Sequence, residues 1–181
     1  MRISLSEGSW DKSTADIVAI AVASGKTTLG RTFGRIEAVT GRGSIKPLAA
    51  DERFEGKRTQ TLKVAAGGKA KARWLLLVGI GDEKNAEKIA WKMGHAVSSR
   101  ARSLKSAAVE LPEVSPESVR AASQGLVSGS YRYAEYKSDK AAGAALGSAV
   151  ILCAPKGTRG LSTAVRAGKA IAESVNFARD I

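Results

Sequence analysis

The sequence predicts an α/β domain in which a mixed or largely parallel sheet is covered by helices on both faces. Short apolar runs typical of buried strands alternate along the chain with longer segments in which apolar residues recur every three or four positions. Helices of that length can cross back over a sheet between parallel strands. The chain has 181 residues, 44% of them apolar, and no low-complexity stretch divides it, so we predict one domain over residues 1–181.

Four segments carry strand patterns. Residues 16–22, 73–78 and 149–153 are nearly continuous apolar runs, as found in strands that are covered on both faces and lie inside a sheet. Residues 59–64 alternate polar and apolar side chains, which predicts a strand with one wet face. The glycines of Gly79-Ile80-Gly81-Asp82 are expected to end the 73–78 strand in a turn.

Three segments carry clear helical patterns, and a fourth, residues 29–39, is helix-like. The first clear pattern covers residues 84–105, with apolar residues at three- and four-residue steps. The second begins at Ser115-Pro116-Glu117, which offers an N-cap, a proline for the first helical position and an acid for the first turn. The last covers about 161–178. Its predicted inner stripe consists of Val165, Gly168, Ile171, Ala172 and Val175.

Side-chain chemistry is sparse. The only cysteine, Cys153, lies in an apolar run and is expected to be a core thiol. The only histidine, His95, falls on the polar side of the predicted 84–105 helix and has no partner at helical spacing. Zinc sites need several ligands at defined spacings, and side-chain catalysis needs a nucleophile with a base or paired carboxylates. We therefore predict no catalytic, cofactor-binding or metal-binding residue in this chain.

Neither end of the sequence nor its interior predicts a membrane segment. The opening residues lack the basic start and long apolar stretch of a secretory signal, and no apolar run reaches membrane-spanning length. We expect a soluble, cytoplasmic protein without a membrane partner.

Two glycine-containing turns imitate phosphate-binding motifs. Gly25-Lys26-Thr27 follows the first apolar run, but the first glycine of a phosphate-binding loop would fall at Ile20, inside the predicted strand. Gly79-Ile80-Gly81 begins like a dinucleotide fingerprint, but its third glycine position holds Lys84. A tight strand-to-helix turn explains the second segment better than a nucleotide site does.

Positive charge is the strongest compositional signal. The chain has 29 Lys and Arg against 17 Asp and Glu, a formal net charge of +12. Residues 26–73 hold twelve of the cations and four of the acids, so this segment carries eight of the surplus charges. Such a surplus favours contact with a polyanion or with an acidic partner domain. Aromatic residues are not interleaved with the cations, which favours a solvated basic face over a stacking platform.

Weak, sequence-independent binding to duplex DNA is the functional alternative for this segment. Arg31 and Arg35 are four residues apart in the helix-like stretch and are expected to share one exposed face. We predict phosphate contacts from Arg31, Arg35, Arg42 and Lys46.

Three stretches, taken together and in order, resemble the N-terminal domain of the leucyl (cytosol) aminopeptidase family. The first is residues 73–81, an apolar strand that ends in a Gly-x-Gly turn. The second is residues 124–137, a helix followed by a glycine, a tyrosine, a further aromatic residue and a Tyr-Lys pair. The third is residues 170–181, similar to the linker helix whose Arg179-Asp180 pair leads into the catalytic domain. The first stretch is generic, but the set is specific and covers the chain nearly end to end.

The resemblance implies a macro-domain-like α/β fold and a parent enzyme that removes N-terminal amino acids from peptides. In that family two divalent metals, zinc or manganese, are held by Lys, Asp and Glu of a C-terminal catalytic domain, where they activate a water and polarise the scissile carbonyl. The family's Asn-Thr-Asp-Ala-Glu-Gly-Arg and Asp-Thr-Gly-Gly stretches do not occur here, so no catalytic residue carries over. The resemblance also implies a homo-oligomer, a hexamer in the family.

The favoured interpretation is therefore a non-catalytic regulatory and assembly domain of a leucyl aminopeptidase. It would include the start of the linker helix, at about 161–181, and would have its own catalytic domain, absent from this sequence, as partner. Two other classes stay open. One is a sequence-independent DNA-binding module, which can coexist with the first role. The other is a domain that binds ADP-ribose or a nucleotide, suggested by the macro-like fold.

Overall fold

One six-stranded sheet organises the fold, with helices on both of its faces. The structure is a computed structural model, and it describes residues 1–41, 43, 45–58, 60–67, 69–101, 103–131, 146–153 and 160–179. The strands are β1 (Arg2–Glu7), β2 (Ile17–Ala23), β3 (Thr61–Ala65), β4 (Trp74–Gly81), β5 (Ser106–Glu110) and β6 (Ser148–Cys153). The helices are α1 (Lys26–Thr40), α2 (Ile45–Asp51), α3 (Ala86–Arg100), α4 (Pro116–Ser130) and α5 (Ser162–Arg179), and a 3-10 turn spans Trp10–Lys12.

The strand order is β1-β6-β5-β2-β4-β3. Neighbouring strands run parallel except β3, which pairs antiparallel with β4 at one edge of the sheet. The three apolar runs of the sequence form β2, β4 and β6, which all have a strand on each side. Ile20, Leu77 and Ile151 in these strands expose at most 1% of their surface. The prediction of a mostly parallel sheet with these runs inside it is confirmed.

Successive residues of the interior strands point to opposite faces and enter two separate cores. Ile17 of β2 packs with Met93 and Leu126 under α3 and α4. Its neighbour Val18 packs with Phe33 under α1 on the other face. Both faces of the sheet are therefore covered, as the sequence predicts. No helix among the described residues is both long and apolar enough to cross a bilayer.

Two boundaries differ from the prediction. Strand β4 continues to Gly81, because Gly79 N–H extends the pairing by donating to the Gln60 carbonyl at 2.9 Å; the chain turns only at Gly81, with φ 66°. Helix α3 ends at Arg100 and does not reach 105, because the chain must reverse to enter β5 at Ser106. Ser103 takes a positive φ of 69° in that reversal.

The predicted start of α4 is confirmed in detail. The Ser115 hydroxyl accepts a hydrogen bond from Ser118 N–H, and the Ser118 hydroxyl accepts one from Ser115 N–H, with Pro116 in the first turn. This reciprocal cap satisfies donors that a helix N-terminus otherwise leaves to water. Strand β1, strand β5 and helix α2 were not predicted.

Helices α3, α4 and α5 lie side by side on one face, and glycines stand at their closest contacts. A Cβ added at Gly125 would lie 2.0 Å from the Trp91 carbonyl oxygen, and one added at Gly168 would lie 2.2 Å from the Arg120 carbonyl oxygen. Real Cβ atoms do not approach that closely, so these contacts require the absence of a side chain.

Candidate functional site

Open α/β sheets commonly bind ligands at the carboxyl ends of their parallel strands. In this chain β1, β5 and β6 end beside a cleft of about 450 Å³ whose lining includes Lys12, Arg35, Glu110 and Cys153. It is the place where a nucleotide would be expected in such a fold.

Glu110 controls the electrostatics of this cleft. Arg35 Nη2 donates to Glu110 Oε2 at 2.7 Å, and the Trp10 backbone N–H donates to Glu110 Oε1 at 3.3 Å. The carboxylate thus ties α1 and the 3-10 turn to the end of β5. The Glu110 carboxylate also repels a phosphate, and it engages Arg35. Among the described residues that line the cleft, Lys12 is therefore the one cation without a carboxylate partner. The nucleotide alternative stays a prediction.

Neither glycine-containing turn forms a phosphate-binding loop. Ile20 lies inside β2 with 1% exposure, and only Ser24 and Gly25 separate that strand from α1. At the second turn, a Cβ added at Gly79 would lie 2.2 Å from the Lys57 carbonyl oxygen. The glycine therefore makes room for the chain itself and not for a ligand.

The single cysteine and the single histidine are both packed. Cys153 is 1% exposed, and burial raises the pKa of its thiol, as expected of a core cysteine. His95 stacks on Trp91 with ring centroids 4.9 Å apart and an interplanar angle of 16°. Burial, and next the Arg179 charge, lower the pKa of His95 below its ordinary value and so favour the neutral imidazole. It is half-buried against α4, and not on a free polar face.

The described residues do not fit the pair of divalent metals that the family resemblance implies. In the part of the chain that the structure describes, no three His, Cys, Asp or Glu side chains lie close enough together to hold a metal ion. The single histidine stacks on an aromatic ring and the single cysteine is buried. No hydrolytic step can be derived from these residues.

The residues predicted to contact phosphates lie in different electrostatic settings. Arg31 and Arg35 are both exposed on α1, one helical turn apart. Arg35 pairs with Glu110, whereas Arg31 has no ion pair with any described carboxylate. Lys46 of α2 lies 3.8 Å from Glu37 Oε2, and Arg42 lies outside the described residues. Their assignment as phosphate contacts stays a prediction, and two of the four already face a carboxylate.

A groove of about 610 Å³, not predicted from the sequence, runs between the outer sides of α3 and α4. Its lining includes Arg58, Lys88, Trp91, Lys92 and Gln124. Trp91 is 41% exposed, a large fraction for the largest side chain. The signal in the sequence was this tryptophan set among lysines on an otherwise regular helix.

Helix α5 carries an apolar flank that was predicted to be buried. Val165, Gly168 and Ala172 are buried, but Ile171 and Val175 are each 44% exposed. The apolar arc of this helix is wider than the surface that α4 and the sheet cover, so its outer part faces solvent. We call Ile171 and Val175 the α5 flank. Contiguous exposed apolar surface is a common feature of docking sites.

Comparison with known proteins places this fold in a family. Residues 12–140 match the model of the cytosol aminopeptidase family, N-terminal domain. The chain belongs to the cytosol aminopeptidase family. It is 36% identical over 141 residues to a probable cytosol aminopeptidase of Roseiflexus castenholzii, and the aligned region covers 71% of this chain and 28% of that relative. It is 31% identical over 145 residues to that of Methylorubrum extorquens, covering 76% and 28%. This member of the family thus spans about a third or less of the length of these curated relatives.

Solved structures show the same fold. A mutant of tomato leucine aminopeptidase superposes with a TM-score of 0.72 at 19% identity, covering 97% of this chain and 36% of that one. A macrodomain of Oceanobacillus iheyensis with MES bound superposes with a TM-score of 0.56 at 11% identity, covering 94% and 92%. The macro-domain-like architecture is confirmed. At these identities the likeness concerns the fold alone.

Proposed function

We propose that this chain is the non-catalytic N-terminal domain of a metal-dependent leucyl aminopeptidase of the cytoplasm, an enzyme that releases N-terminal amino acids from peptides. The observation that carries the proposal is the match of residues 12–140 to the N-terminal domain of that family, together with the chain's short span on its relatives. Residues 1–181 form the domain, and α5 is the start of the linker helix.

In this proposal the chemistry belongs to a separate catalytic domain of the same polypeptide. Two divalent metals, zinc or manganese, supply a Lewis acid and an activated water there. The residues described in this chain position the catalytic domain and contribute to assembly of the oligomer. A homo-oligomer, a hexamer by resemblance to the family, is proposed for the complete enzyme.

The α5 flank is the surface proposed to dock the catalytic domain. Ile171 and Val175 lie in the last helix of the domain, so a domain that follows along the polypeptide starts close to them. Burying two branched aliphatic side chains that are each 44% exposed removes apolar area from water, which is the main driving force of domain docking. The net positive charge of the sequence, +12, fits an acidic partner domain.

We predict that Ile171→Asp with Val175→Asp separates the two domains. In the polypeptide that carries both, limited proteolysis after α5 should become at least about tenfold faster, because roughly 1.4 kcal/mol or more of docking free energy is lost. The matched control is Ala170→Asp with Ser174→Asp, which adds the same charge to another exposed side of α5. Equal cleavage rates in both double variants would contradict docking through the flank.

We predict that this chain alone neither hydrolyses leucine p-nitroanilide nor retains zinc or manganese after dialysis, because its lone histidine and cysteine are packed away from other ligands. The polypeptide that continues into the catalytic domain should do both. Metal content by mass spectrometry and the anilide assay, run on both proteins, test this. Turnover or a stoichiometric metal in the short chain would contradict the proposal.

A further inference from the structure

The groove between α3 and α4 combines an exposed aromatic ring with an amine that has no counter-ion. Its volume of about 610 Å³ is in the range of pockets that take small organic molecules. Trp91 and Lys92, which are adjacent on α3, both line it. Trp91 is exposed and Lys92 is partly buried. The groove therefore offers an apolar contact and a charged contact within reach of one small ligand.

The groove is built on helix backbones that touch each other. A Cβ added at Gly94 of α3 would lie 2.3 Å from the carbonyl oxygen of Ala122 on α4. The next residue along α4 towards its N-terminus, Ala121, contributes only a methyl group to the lining, whereas the longer side chains of Trp91 and Gln124 also line it. A depression between two packed helices is already formed before a ligand arrives, which lowers the cost of binding.

The Trp91 ring is held in place and still accessible. It stacks on His95, one helical turn further along α3, with ring centroids 4.9 Å apart. The stack orders the indole, and 41% of Trp91 nevertheless remains exposed. Aromatic pairs gain energy beyond the area they bury, and the gain is larger when one ring is already ordered. Trp91 thus presents apolar surface that a second flat ring can cover.

Lys92 brings a charge without a counter-ion to the groove. Its Nζ donates to the Gly79 carbonyl, a neutral acceptor, and it forms no ion pair with any described carboxylate. Burial, and next the charge of Arg58, lower the pKa of Lys92 below its ordinary value. Both causes disfavour the ammonium form, so an anion beside Lys92 would be stabilising.

The other charges of the lining favour a ligand with a single negative charge. Arg58 is already paired with Glu83 at 2.9 Å. Lys88 is exposed, so water and salt screen its charge. Glu87, paired with an arginine of α4, brings a carboxylate to the lining and repels a dianion more strongly than a monoanion. The partly buried amine of Lys92 is therefore the main anchor, and it matches a carboxylate better than the phosphate of a nucleotide.

We propose that the α3–α4 groove binds a small aromatic carboxylate. The ring covers the exposed side of Trp91, and the carboxylate accepts a hydrogen bond from Lys92 Nζ. Such a bond is charge-assisted and is stronger beside apolar surface than in water. The proposal does not rest on the aminopeptidase assignment. Among the described residues, this groove and the cleft at the ends of β1, β5 and β6 share no lining side chain.

An NMR titration of the isotope-labelled chain with hydrocinnamate tests the proposal. We expect shift changes for the backbone amides around Trp91 and Gln124 and a dissociation constant of about 1 mM or below, as is usual for a ligand of this size. Hydrocinnamamide keeps the ring and loses the charge, whereas propionate keeps the charge and loses the ring. Each should bind at least about tenfold more weakly than hydrocinnamate.

Two variants assign the contacts to residues. Lys92→Gln removes the charge and should weaken hydrocinnamate binding about tenfold, to the level of the amide. Trp91→Ala removes the aromatic surface and should weaken hydrocinnamate binding about tenfold. The matched controls are Lys69→Gln, at an exposed lysine, and Phe177→Ala, at an aromatic residue that is 70% exposed; neither residue lines the groove. Both controls should keep the dissociation constant within about twofold.

Four results would overturn the proposal. Shift changes centred elsewhere would place the ligand outside the groove. Equal affinities for hydrocinnamate and its amide would remove the role of Lys92. Tighter binding of adenosine monophosphate than of hydrocinnamate in the groove would indicate a nucleotide site. Absence of shift changes at about 10 mM hydrocinnamate would remove the site. The spectrum of each variant without ligand checks that its fold is retained, and Trp91→Leu or Lys92→Met replaces a variant whose fold is lost.

Discussion

Gly125→Ala is expected to lower the free energy of unfolding by about 3 kcal/mol or more, the upper range for overpacking a core. The new Cβ would lie 2.0 Å from the Trp91 carbonyl oxygen and 2.9 Å from the His95 backbone nitrogen. Both atoms belong to the α3 backbone, so neither can rotate away as a side chain would. The helices must separate, which weakens packing along the whole contact. Urea unfolding followed by circular dichroism measures the loss.

Gly34→Ala is the matched control for this change. Gly34 also lies inside a helix, α1, but apart from the adjacent backbone of α1 itself no atom lies within 4 Å of the position of an added Cβ. Because alanine has the higher helix propensity, this substitution is expected to stabilise the protein by up to about 1 kcal/mol. If Gly125→Ala cost no more than Gly34→Ala, the close contact of α3 with α4 would not be a source of stability.

The interior of the sheet could be predicted because its strands are buried on both faces. A continuous run of β-branched and aliphatic residues such as 17–22, too short to span a membrane, has few alternatives to a buried strand. The start of α4 could also be predicted, because Ser115 caps the helix and Pro116 occupies its first turn, so both act within one helical turn. Both signals are local, and tertiary structure only confirms them.

The elements that were missed have weak local signals. Strand β5 has the sequence Ser-Ala-Ala-Val-Glu, whose alanines favour helix as much as strand, and only its place between β2 and β6 makes it extended. Strand β1 does alternate, with Ile3 and Leu5 turned inward, but the alternation spans only six residues. Helix α2 has seven residues, including Pro47, too few for a period to be seen.

The electrostatics of the candidate sites could not be predicted, because the decisive partners are distant in sequence. Glu110, 75 residues from Arg35, engages the arginine that the spacing on α1 had marked as a phosphate contact. The exposure of Ile171 depends likewise on how far α4 covers α5, which no pattern within α5 reveals. Counting charges located the basic segment, but only the structure separates its paired cations from its unpaired ones.

One connection between strands also became visible only in the structure. Asp16 lies immediately before β2, and its Oδ2 accepts hydrogen bonds from Lys105 N–H and Ser106 N–H, both at 2.9 Å, and from the Ser106 hydroxyl at 3.1 Å. The carboxylate thereby anchors the beginning of β5 to the beginning of β2. These bonds, the Ser106 N–H first among them, lower the pKa of Asp16 below its ordinary value.

Asp16→Asn is expected to destabilise the protein by about 1–3 kcal/mol at pH 7, because an amide oxygen cannot replace a charged acceptor of three donors. Since the folded pKa is depressed, the stability that the carboxylate contributes is present above its unfolded pKa of about 3.9 and is lost as the pH falls through the folded pKa. The difference between the two proteins should therefore be constant from about pH 5 to pH 7 and shrink below about pH 4. Urea unfolding across this pH range measures the difference in stability. The control is Asp82→Asn, because Asp82 is exposed and has no described partner. This substitution should change the free energy of unfolding by less than about 0.5 kcal/mol. A difference that does not vary with pH would mean that Asp16 acts through its shape and not through its charge.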